Sequence, residues 1–277
     1  MPELPEVETV VRTLRPRLVG RTIRAVWSSG LPLRMRRPVD AAALRAACVG
    51  SRVGAVTRRA KYILVELERR GRATATLLVH LGMTGRLRVE AQRAPRAKHT
   101  HVTWTLSGGT ELRFLDARRF GWVLAGPDVV GLPVLARLGP DALARVDADV
   151  FARALGKAST PIKSFLLDQR RIAGLGNIYV CEALFRAGIH PRTRARRARG
   201  QALPLLRAIR ETLELGIANC GTSFRDFVDA NGEPGTNLGA LLVYGREGEP
   251  CKSCGRLVRR SVDAGRSTFF CAHCQQR

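Results

Sequence analysis

Apolar residues recur at helical spacing near the start of the chain. Acidic residues occupy the first turn of this segment, and Gly20 follows its end. The apolar positions on the shared face are Val7, Val10, Val11, Leu14 and Leu18. A 3.6-residue period between a start signal and a stop signal predicts an amphipathic helix over residues 3–18.

Between residue 21 and about residue 125 the pattern changes to short runs of apolar and β-branched residues. Polar or glycine-rich turns such as SGG and ERRG separate the runs. In chain order the runs are TIRAVW, YILVEL, TATLLVHL, HVTWTL, ELRFLD and GWVLAG. Short strands at this spacing predict an antiparallel β-sandwich or barrel.

Beyond residue 140 the period becomes helical, after a segment rich in proline and glycine at 126–140 that predicts a domain boundary. STPIKSFLLDQ offers Thr160 as the N-cap of a helix and Pro161 as its first residue. Two further helices are predicted for IYVCEALFRAG and QALPLLRAIRETLELGIA, with RTRARRARG between them as a basic loop.

Four cysteines near the end of the chain form two C-x2-C pairs separated by sixteen residues. They are Cys251, Cys254, Cys271 and Cys274. This spacing predicts a tetrahedral thiolate site for one structural zinc ion. Two disulfides are the alternative, which a cytosolic location disfavours. The remaining Cys48, Cys181 and Cys220 have no partner at motif spacing and are predicted to be small core thiols.

The segment between the cysteine pairs, RLVRRSVDAGRSTFF, predicts a β-hairpin with its tip near Asp263 to Arg266. Arginines on a zinc-stapled hairpin suit contact with a DNA backbone, and a purely structural ribbon is the alternative.

The 277-residue chain is strongly basic, with 47 lysines and arginines against 23 acidic residues and a formal charge of +24. Each neutralised phosphate releases counterions, so nucleic acid is the expected partner. An anionic membrane surface fits less well, because the chain contains no basic amphipathic helix or lipidation signal. Without an export leader or an apolar run long enough to span a bilayer, a soluble cytoplasmic protein is expected.

Two local motifs are candidates for DNA contact. Gly174-Leu175-Gly176-Asn177 precedes a predicted helix, where free main-chain amides can face an anion at the positive end of the helix dipole. Met83 lies in one turn, and Arg118, Arg119 and Phe120 lie in another. An apolar wedge beside arginines can prise apart a base step. Methionine and phenylalanine near strand ends are more often core residues, and spacing alone favours that interpretation.

The acidic residues at the amino end of the chain suggest a catalytic site. A methionine before proline is normally removed, which leaves Pro2 with a secondary amine whose reference pKa is about 8. Its neutral form can attack a sugar C1′, expel the base and leave an iminium ion. Glu3 and Glu6 lie within one helical turn of that nitrogen, where they can move protons and stabilise the cation. Complementing the helix dipole is the alternative, and it is an adequate account of Glu8.

A set of segments occurs together and in order along the chain: MPELPEVET, RRAKY, HLGMTGRL, KHTHV, DARRFGW, LGP, GLGNIYVCEALF, GTSFRDFV, VYGREGEPC and CKSCG…FFCAHCQ. On these segments the chain resembles bacterial formamidopyrimidine-DNA glycosylase, the base-excision repair family for oxidised purines. The resemblance implies an α+β fold. An N-terminal helix plus antiparallel β-sandwich domain (1–130) precedes a helix-two-turn-helix domain (131–237) and a C-terminal β-hairpin zinc finger (238–277).

The resemblance also implies roles for particular residues. Pro2 corresponds to the Schiff-base nucleophile, Glu3 to the proton donor beside Glu6, Lys61 to the lysine of β-elimination and Arg266 to the arginine of δ-elimination. The residues implied to grip backbone phosphates are His80, Lys163, Asn177 and Tyr244, with His99 and Arg118 also expected at the DNA. Met83, Arg118 and Phe120 correspond to the group that fills the gap left by a flipped nucleotide, contrary to the preference for core drawn from spacing.

The activity implied is that of a bifunctional DNA glycosylase and AP lyase. It flips 8-oxoguanine or a formamidopyrimidine out of double-stranded DNA, excises it and cleaves the strand by β,δ-elimination. The family is monomeric and carries one zinc ion, and abasic sites are also substrates. A protein of this kind is expected in the bacterial cytoplasm, associated with the nucleoid through DNA.

One alternative lies within the same enzyme class, and two belong to other classes of protein. An endonuclease VIII-type enzyme would prefer oxidised pyrimidines, but PELPE, RRAKY and RRFG favour the purine family. A non-catalytic protein that binds damaged DNA has no need of a free N-terminal proline. A zinc-ribbon transcription factor would require a recognition module, and no clear one is visible in the sequence.

Overall fold

The computed structural model describes residues 2–33, 39–224 and 227–276. By its internal contacts the chain divides into two compact units. Unit 1 comprises the chain up to Ala136 together with Asn219–Thr236, and unit 2 comprises Arg137–Ala218 together with Asn237–Arg277. No helix within the described residues is both long and apolar enough to cross a membrane.

Unit 1 is built from one long helix and two antiparallel sheets. Its helices are Leu4–Leu18 (α1), Ala41–Cys48 (α2) and Pro133–Ala136 (α3). Its strands are Ile23–Ser28 (β1), Arg52–Arg59 (β2), Tyr62–Arg69 (β3), Arg72–His80 (β4), Arg86–Ala91 (β5), Thr100–Leu106 (β6), Thr110–Leu115 (β7) and Trp122–Gly126 (β8). One sheet has the order β2-β3-β4-β8, and the other has the order β1-β6-β7-β5. The N-terminal helix and the antiparallel β-sandwich are therefore confirmed.

The core of unit 1 joins the apolar face of α1 to the inward faces of both sheets. Every predicted apolar position of α1 is at most 1% exposed, and Trp104 and Phe114 are fully buried on the second sheet. Burial of one such side chain contributes about 1.5–3 kcal/mol. This packing fixes α1, and with it the amino end of the chain, on the sandwich.

Unit 2 is helical, with a hairpin near its end. Its helices are Ala148–Gly156 (α4), Ile162–Leu167 (α5), Asn177–Arg186 (α6) and Ala202–Ala218 (α7). Its strands are Arg259–Asp263 (β9) and Arg266–Phe270 (β10). Arg266 pairs with Asp263 across the turn, so the predicted hairpin and its tip are confirmed.

Two local predictions for unit 2 are wrong. Helix α5 begins one residue later than expected, with Pro161 rather than Thr160 as its N-cap. The Thr160 carbonyl accepts a hydrogen bond from the Ala195 amide, and the Ile162 amide donates to the Thr193 carbonyl. A neighbouring segment thus satisfies the main chain at the helix start without a capping side chain. The expected basic loop contains a 3₁₀ helix, Ala195–Gln201.

Candidate functional site

The amino end of α1 holds Pro2, Glu3 and Glu6 in buried positions. Glu3 is the N-cap, and its side chain accepts a hydrogen bond from the Glu6 amide. The Glu6 side chain in turn accepts from the Glu3 amide, at 2.8 Å. This capping box is the reciprocal arrangement that satisfies two otherwise unpaired donors at a helix start. Both carboxylates are thereby fixed within one helical turn of Pro2.

Glu6 has a second main-chain donor from a distant part of the sequence. Its other carboxylate oxygen accepts a hydrogen bond from the Thr222 amide at 2.8 Å. Gly221 approaches closely in a left-handed conformation, and a Cβ there would lie only 3.0 Å from Glu6 Cγ. Glu6 is predicted from the sequence, whereas Thr222 is not. The Thr222 donor is a main-chain amide, which leaves no side-chain signature in the sequence.

Lys61 is buried in the turn between β2 and β3. Arg58 donates one hydrogen bond to Glu8 on α1 at 2.8 Å and another to the Ala60 carbonyl at 3.0 Å. Burial raises the pKa of Glu8, but hydrogen bonds and charge from Arg58 and Arg12 outweigh burial and hold that pKa below its usual value. Glu8 therefore does more than complement a helix dipole: it connects α1 to the turn that carries Lys61.

Met83 and Phe120 are 39% and 47% exposed, so the spacing-based preference for core positions is wrong. The guanidinium carbon of Arg118 lies 4.6 Å from the centre of the Phe120 ring. Gly82 has a φ of +62°, and a Cβ at this position would overlap the main chain at Phe120 and Gly121. The two turns are packed backbone to backbone and present their large side chains outward.

Asp116 is a buried carboxylate that ties these turns together. One of its oxygens accepts hydrogen bonds from the Thr84 hydroxyl and the Arg118 amide, and the other accepts from the Gly121 amide at 2.7 Å. Its own amide donates to the His99 carbonyl at 3.0 Å. Asp116 was not predicted from the sequence, although it directly precedes the ARRFG run.

The two histidines predicted at the DNA lie at strand ends of unit 1. His80 closes β4, packs its ring 4.9 Å from Tyr62, and accepts a hydrogen bond from the Gly82 amide at 3.1 Å. His99 is exposed and has a φ of +66° just before β6. The structure therefore places His80, Met83, His99, Arg118 and Phe120 on turns that share hydrogen bonds or main-chain contacts.

In unit 2, Lys163, Asn177 and Tyr244 lie together beside strand β10. The Lys163 ammonium donates to the Ser267 carbonyl at 3.0 Å and to the Thr268 hydroxyl at 2.6 Å. The Asn177 amide nitrogen donates to the same Ser267 carbonyl at 2.9 Å and lies 3.4 Å from the Tyr244 hydroxyl. Ser267 directly follows the exposed Arg266.

Asn177 is also the first residue of α6, whose N-cap Gly176 provides no side-chain acceptor. The positive end of the α6 dipole therefore lies at the cluster of Lys163, Asn177 and Tyr244, an arrangement that favours an anion.

Glu182 on α6 positions the segment that bears Tyr244. It is buried, and its carboxylate accepts hydrogen bonds from three consecutive main-chain amides at 2.8 to 2.9 Å. The donors are Leu242, Val243 and Tyr244. Sequence analysis missed Glu182, because a single acid within an apolar helix carries no spacing signal.

The four cysteines of the two C-x2-C pairs place their sulfur atoms within 4.8 Å of one another, and none forms a disulfide. Four clustered thiols fit one structural zinc ion in a closed tetrahedral site. Burial raises the pKa of Cys271, but hydrogen bonds from the amides of Cys274 and His273 and from neighbouring thiols outweigh it and lower that pKa to about 7.

The three remaining cysteines only partly follow the prediction. Cys48 and Cys181 are buried, as expected for core thiols, and Cys220 is exposed. The prediction for Cys220 is wrong because it lies in the turn after α7, with a φ of +56°.

Three family models match consecutive parts of the chain. They describe a Formamidopyrimidine-DNA glycosylase N-terminal domain at residues 1–123, a Formamidopyrimidine-DNA glycosylase H2TH domain at 138–228, and a zinc finger found in FPG and IleRS at 248–277.

Full-length relatives agree with these models. Formamidopyrimidine-DNA glycosylases of Paracoccus denitrificans and of Klebsiella pneumoniae are 46% and 43% identical, each over all of both chains. A Lactococcus lactis FPG mutant in complex with a Fapy-dG containing DNA superposes with a TM-score of 0.90, at 34% identity over all of both chains. The MutM (FPG) protein from Thermus thermophilus gives 0.86, at 41% identity over 99% of this chain and 98% of that one.

The chain combines a β-sandwich preceded by a helix, an H2TH domain and a zinc finger. These features and the relatives identify a DNA glycosylase of base-excision repair that binds DNA and one structural zinc ion. The chain belongs to the formamidopyrimidine-DNA glycosylase family.

Proposed function

We propose that this enzyme excises oxidised purines through a Schiff base on Pro2 and then cleaves the abasic strand by β,δ-elimination. The observation that carries the proposal is the buried arrangement of Pro2, Glu3 and Glu6 at the capped start of α1. Solved complexes of Lactococcus lactis Fpg with Fapy-dG DNA and with abasic-site DNA support the choice of substrates.

In the first step the neutral Pro2 nitrogen attacks C1′ of the flipped nucleotide. The bond from C1′ to the base breaks, and the proton lost by the Pro2 nitrogen is balanced by protonation of the departing base. Glu3 then gives a proton to O4′ as the sugar ring opens, and the nitrogen lone pair forms the iminium bond to C1′. The Glu6 carboxylate, held by the Glu3 and Thr222 amides, stabilises the cation.

The iminium ion makes the next two bond cleavages easier, because it withdraws electrons from the sugar chain. Loss of a C2′ proton expels the 3′ phosphate in β-elimination, which we assign to Lys61. A second elimination expels the 5′ phosphate, which we assign to Arg266. Hydrolysis of the adduct releases the sugar remnant and leaves a one-nucleotide gap with phosphate ends.

The enzyme binds the DNA through its phosphates, and a second group of side chains enters the base stack. We assign phosphate contacts to His80, His99 and the unit 2 cluster around Ser267, which consists of Lys163, Asn177 and Tyr244. The outward-facing Met83, Arg118 and Phe120 fill the gap left by the flipped nucleotide.

The decisive experiment is borohydride trapping on a duplex with one 8-oxoguanine opposite cytosine, followed by mass spectrometry of the cross-linked peptide. We expect a covalent adduct at Pro2.

Two variants test the assigned roles separately. In Pro2→Gly, we expect excision to fall far more than DNA affinity. In Glu3→Gln, we expect excision to fall about 10²–10⁴-fold, the range for loss of a general acid.

Duplexes with an oxidised pyrimidine or an abasic site serve as substrate controls for the trapping experiment. Failure to trap on all three duplexes while DNA still binds would contradict the Schiff-base mechanism and favour a damage-binding protein. Stronger trapping on the oxidised pyrimidine would instead point to an endonuclease VIII-type preference. Equal losses of affinity and excision in Pro2→Gly would count against its assigned role.

We further propose that the enzyme works as a monomer in the bacterial cytoplasm. The proposed domains are the catalytic domain 1–130, the H2TH domain 131–237 and the zinc finger 238–277.

A further inference from the structure

A group of exposed arginines lies at one end of the unit 1 sandwich. It consists of Arg21, Arg45, Arg52, Arg69, Arg70 and Arg72, and we call it the far-end patch. Arg69 and Arg72 are paired across the β3–β4 turn, and Arg52 lies beside Thr22 in a bridge between the two sheets. The Arg69 guanidinium donates to the Ala46 carbonyl of α2 at 2.7 Å, next to Arg45, and also to the Val49 carbonyl at 3.0 Å and the Ser51 hydroxyl at 3.1 Å. Its contribution to the patch is therefore mainly its charge. These contacts bring Arg45, Arg52, Arg69 and Arg72 to the same end of the sandwich. Arg21 and Arg70 directly adjoin Thr22 and Arg69 in the chain.

Acidic residues do not neutralise this surface. Glu68 lies 3.5 Å from Arg52, and Glu66 lies two residues earlier on the same strand. The arginines therefore outnumber the neighbouring glutamates by four. Arginine binds phosphate with a rigid fork of donors and keeps its charge at all physiological pH values. The far-end patch is thus suited to a chain of phosphates.

Arg70 occupies a conformation that arginine seldom adopts. Its φ is +52°, and Gly71, which follows it, has a φ of +74°. A two-residue hairpin turn with both residues left-handed strongly favours Asn-Gly or Asp-Gly. Arginine is not among the residues that this turn favours, and it places a positive charge at the tip of the hairpin.

The far-end patch lies away from the proposed catalytic residues of the same unit. Along the β3–β4 hairpin, Tyr62 pairs with His80 at one end and Arg69 pairs with Arg72 at the other. The chain from Tyr62 to Arg70 spans about 26 Å if it is extended throughout. A phosphate backbone that contacts the patch is therefore separate from the phosphates assigned to His80.

We propose that the far-end patch binds the phosphate backbone of a second DNA segment without regard to its sequence. This inference goes beyond the proposed function and rests on DNA binding, not on the Pro2 chemistry. DNA is the favoured partner because the enzyme works on a polymer that supplies neighbouring duplex segments at high local concentration. Contact with a second segment allows transfer between segments without release into solution.

The test uses a triple variant that removes three charges from the patch, Arg45→Gln, Arg70→Asn and Arg72→Thr. Asparagine suits the left-handed position at residue 70, so the fold should be retained. The matched control removes three exposed arginines of unit 2 by Arg153→Gln, Arg186→Gln and Arg207→Gln. Both variants have the same net charge.

Each protein is first saturated with a short, uncleavable abasic-analogue duplex, and binding of a labelled undamaged duplex is then measured by fluorescence anisotropy across a salt series. Wild type and control should bind the second duplex alike, and the patch variant should bind it about tenfold more weakly. Its slope of log K against log salt should fall by about 2.7, the value for three lost phosphate contacts. Single-turnover excision of 8-oxoguanine should be unchanged in both variants.

Equal weakening in the two variants would overturn the proposal, because net charge alone would then explain the binding. The proposal also fails if wild type saturated with the first duplex binds no second duplex. Tight binding of anionic phospholipid vesicles or single-stranded RNA by the patch, with no binding of duplex DNA, would likewise refute it.

Discussion

At the scale of single residues, three of the 23 acidic residues in this basic chain serve as internal anchors. Glu6, Asp116 and Glu182 are all buried, and each accepts hydrogen bonds from main-chain amides of another turn or loop. A carboxylate can hold several amides at once, so one side chain fixes a whole turn. The sequence revealed Glu6 through its closeness to Pro2, whereas the partners of Asp116 and Glu182 are main-chain groups that no motif displays.

Thr84→Val tests whether Asp116 positions the wedge. The change keeps the side-chain shape but removes the hydroxyl that donates to Asp116. A lost hydrogen bond to a charged group costs about 1.5–3 kcal/mol, so we expect excision from duplex 8-oxoguanine to slow by about 10- to 150-fold. Strand cleavage at a preformed abasic site in single-stranded DNA needs no wedge and should change little.

Thr84→Ser is the matched control for this prediction, because it retains the hydroxyl and should restore excision. Opening of the base step can be followed directly with 2-aminopurine placed beside the lesion. Parallel losses on duplex and single-stranded substrates would mean that Thr84 acts only on stability. Identical behaviour of the valine and serine variants would exclude a role for the hydroxyl.

At the scale of elements, prediction succeeded where the apolar period was clear and failed where charge or tertiary contacts interrupted it. Helix α1 and the β9–β10 hairpin match their predicted segments. Strands β2 and β5 were missed, because arginines on their outward faces conceal the short alternation. The start of α5 was misplaced, because its amides are satisfied by a segment some thirty residues later in the chain.

Loss of zinc should release the hairpin and with it the unit 2 cluster of Lys163, Asn177 and Tyr244. Lys163 and Asn177 both bond to Ser267 on β10, so unfolding of the hairpin removes their shared anchor. We expect Cys251→Ser to lose zinc and to bind abasic duplex about tenfold or more weakly, since one charged hydrogen bond contributes about 1.5–3 kcal/mol. Zinc content, hydrogen exchange across residues 248–276 and DNA affinity are the measurements.

Cys220→Ser is the matched control, because Cys220 is exposed and lies outside the four-cysteine cluster. It should retain one zinc ion per chain and full affinity for DNA. A Cys251→Ser protein that kept its zinc, its hydrogen-exchange protection and its affinity would contradict this account of the site.

At the scale of the whole molecule, the sequence indicated the fold class and the zinc site but not the division of the chain by contacts. Unit 1 includes Asn219–Thr236, although this segment follows the helices of unit 2 in sequence. Its place is set by tertiary hydrogen bonds, such as Thr222 to Glu6 and Ala230 to Thr13. Such bonds between distant residues produce no periodic signal. The boundaries of the three domains remain a prediction.

Because the net charge is +24, we expect rising salt to stabilise the free protein and to weaken its binding to DNA. Like charges on a compact chain repel one another, and counterions screen that repulsion. The free, zinc-loaded protein should therefore gain thermal stability between about 50 and 200 mM salt. A gain of about 1 kcal/mol corresponds to a rise of about 2–4 °C in Tm for a chain approaching this length. Over the same range, the rise in salt should weaken DNA binding by about 10³-fold or more if the protein makes six or more phosphate contacts.

Calorimetry of the free protein and anisotropy of a labelled undamaged duplex, in the same buffers, separate these two effects. Sucrose at matched osmolality controls for effects that do not depend on charge. A Tm that stayed flat or fell with salt would contradict this prediction, because it would mean that charge repulsion contributes little to the stability of the free protein. The composition predicts such repulsion, because each of the 23 acidic residues would have to neutralise about two of the 47 basic ones to remove it. A formal charge of +24 therefore remains, and screening of that charge by salt should stabilise the fold of the free protein.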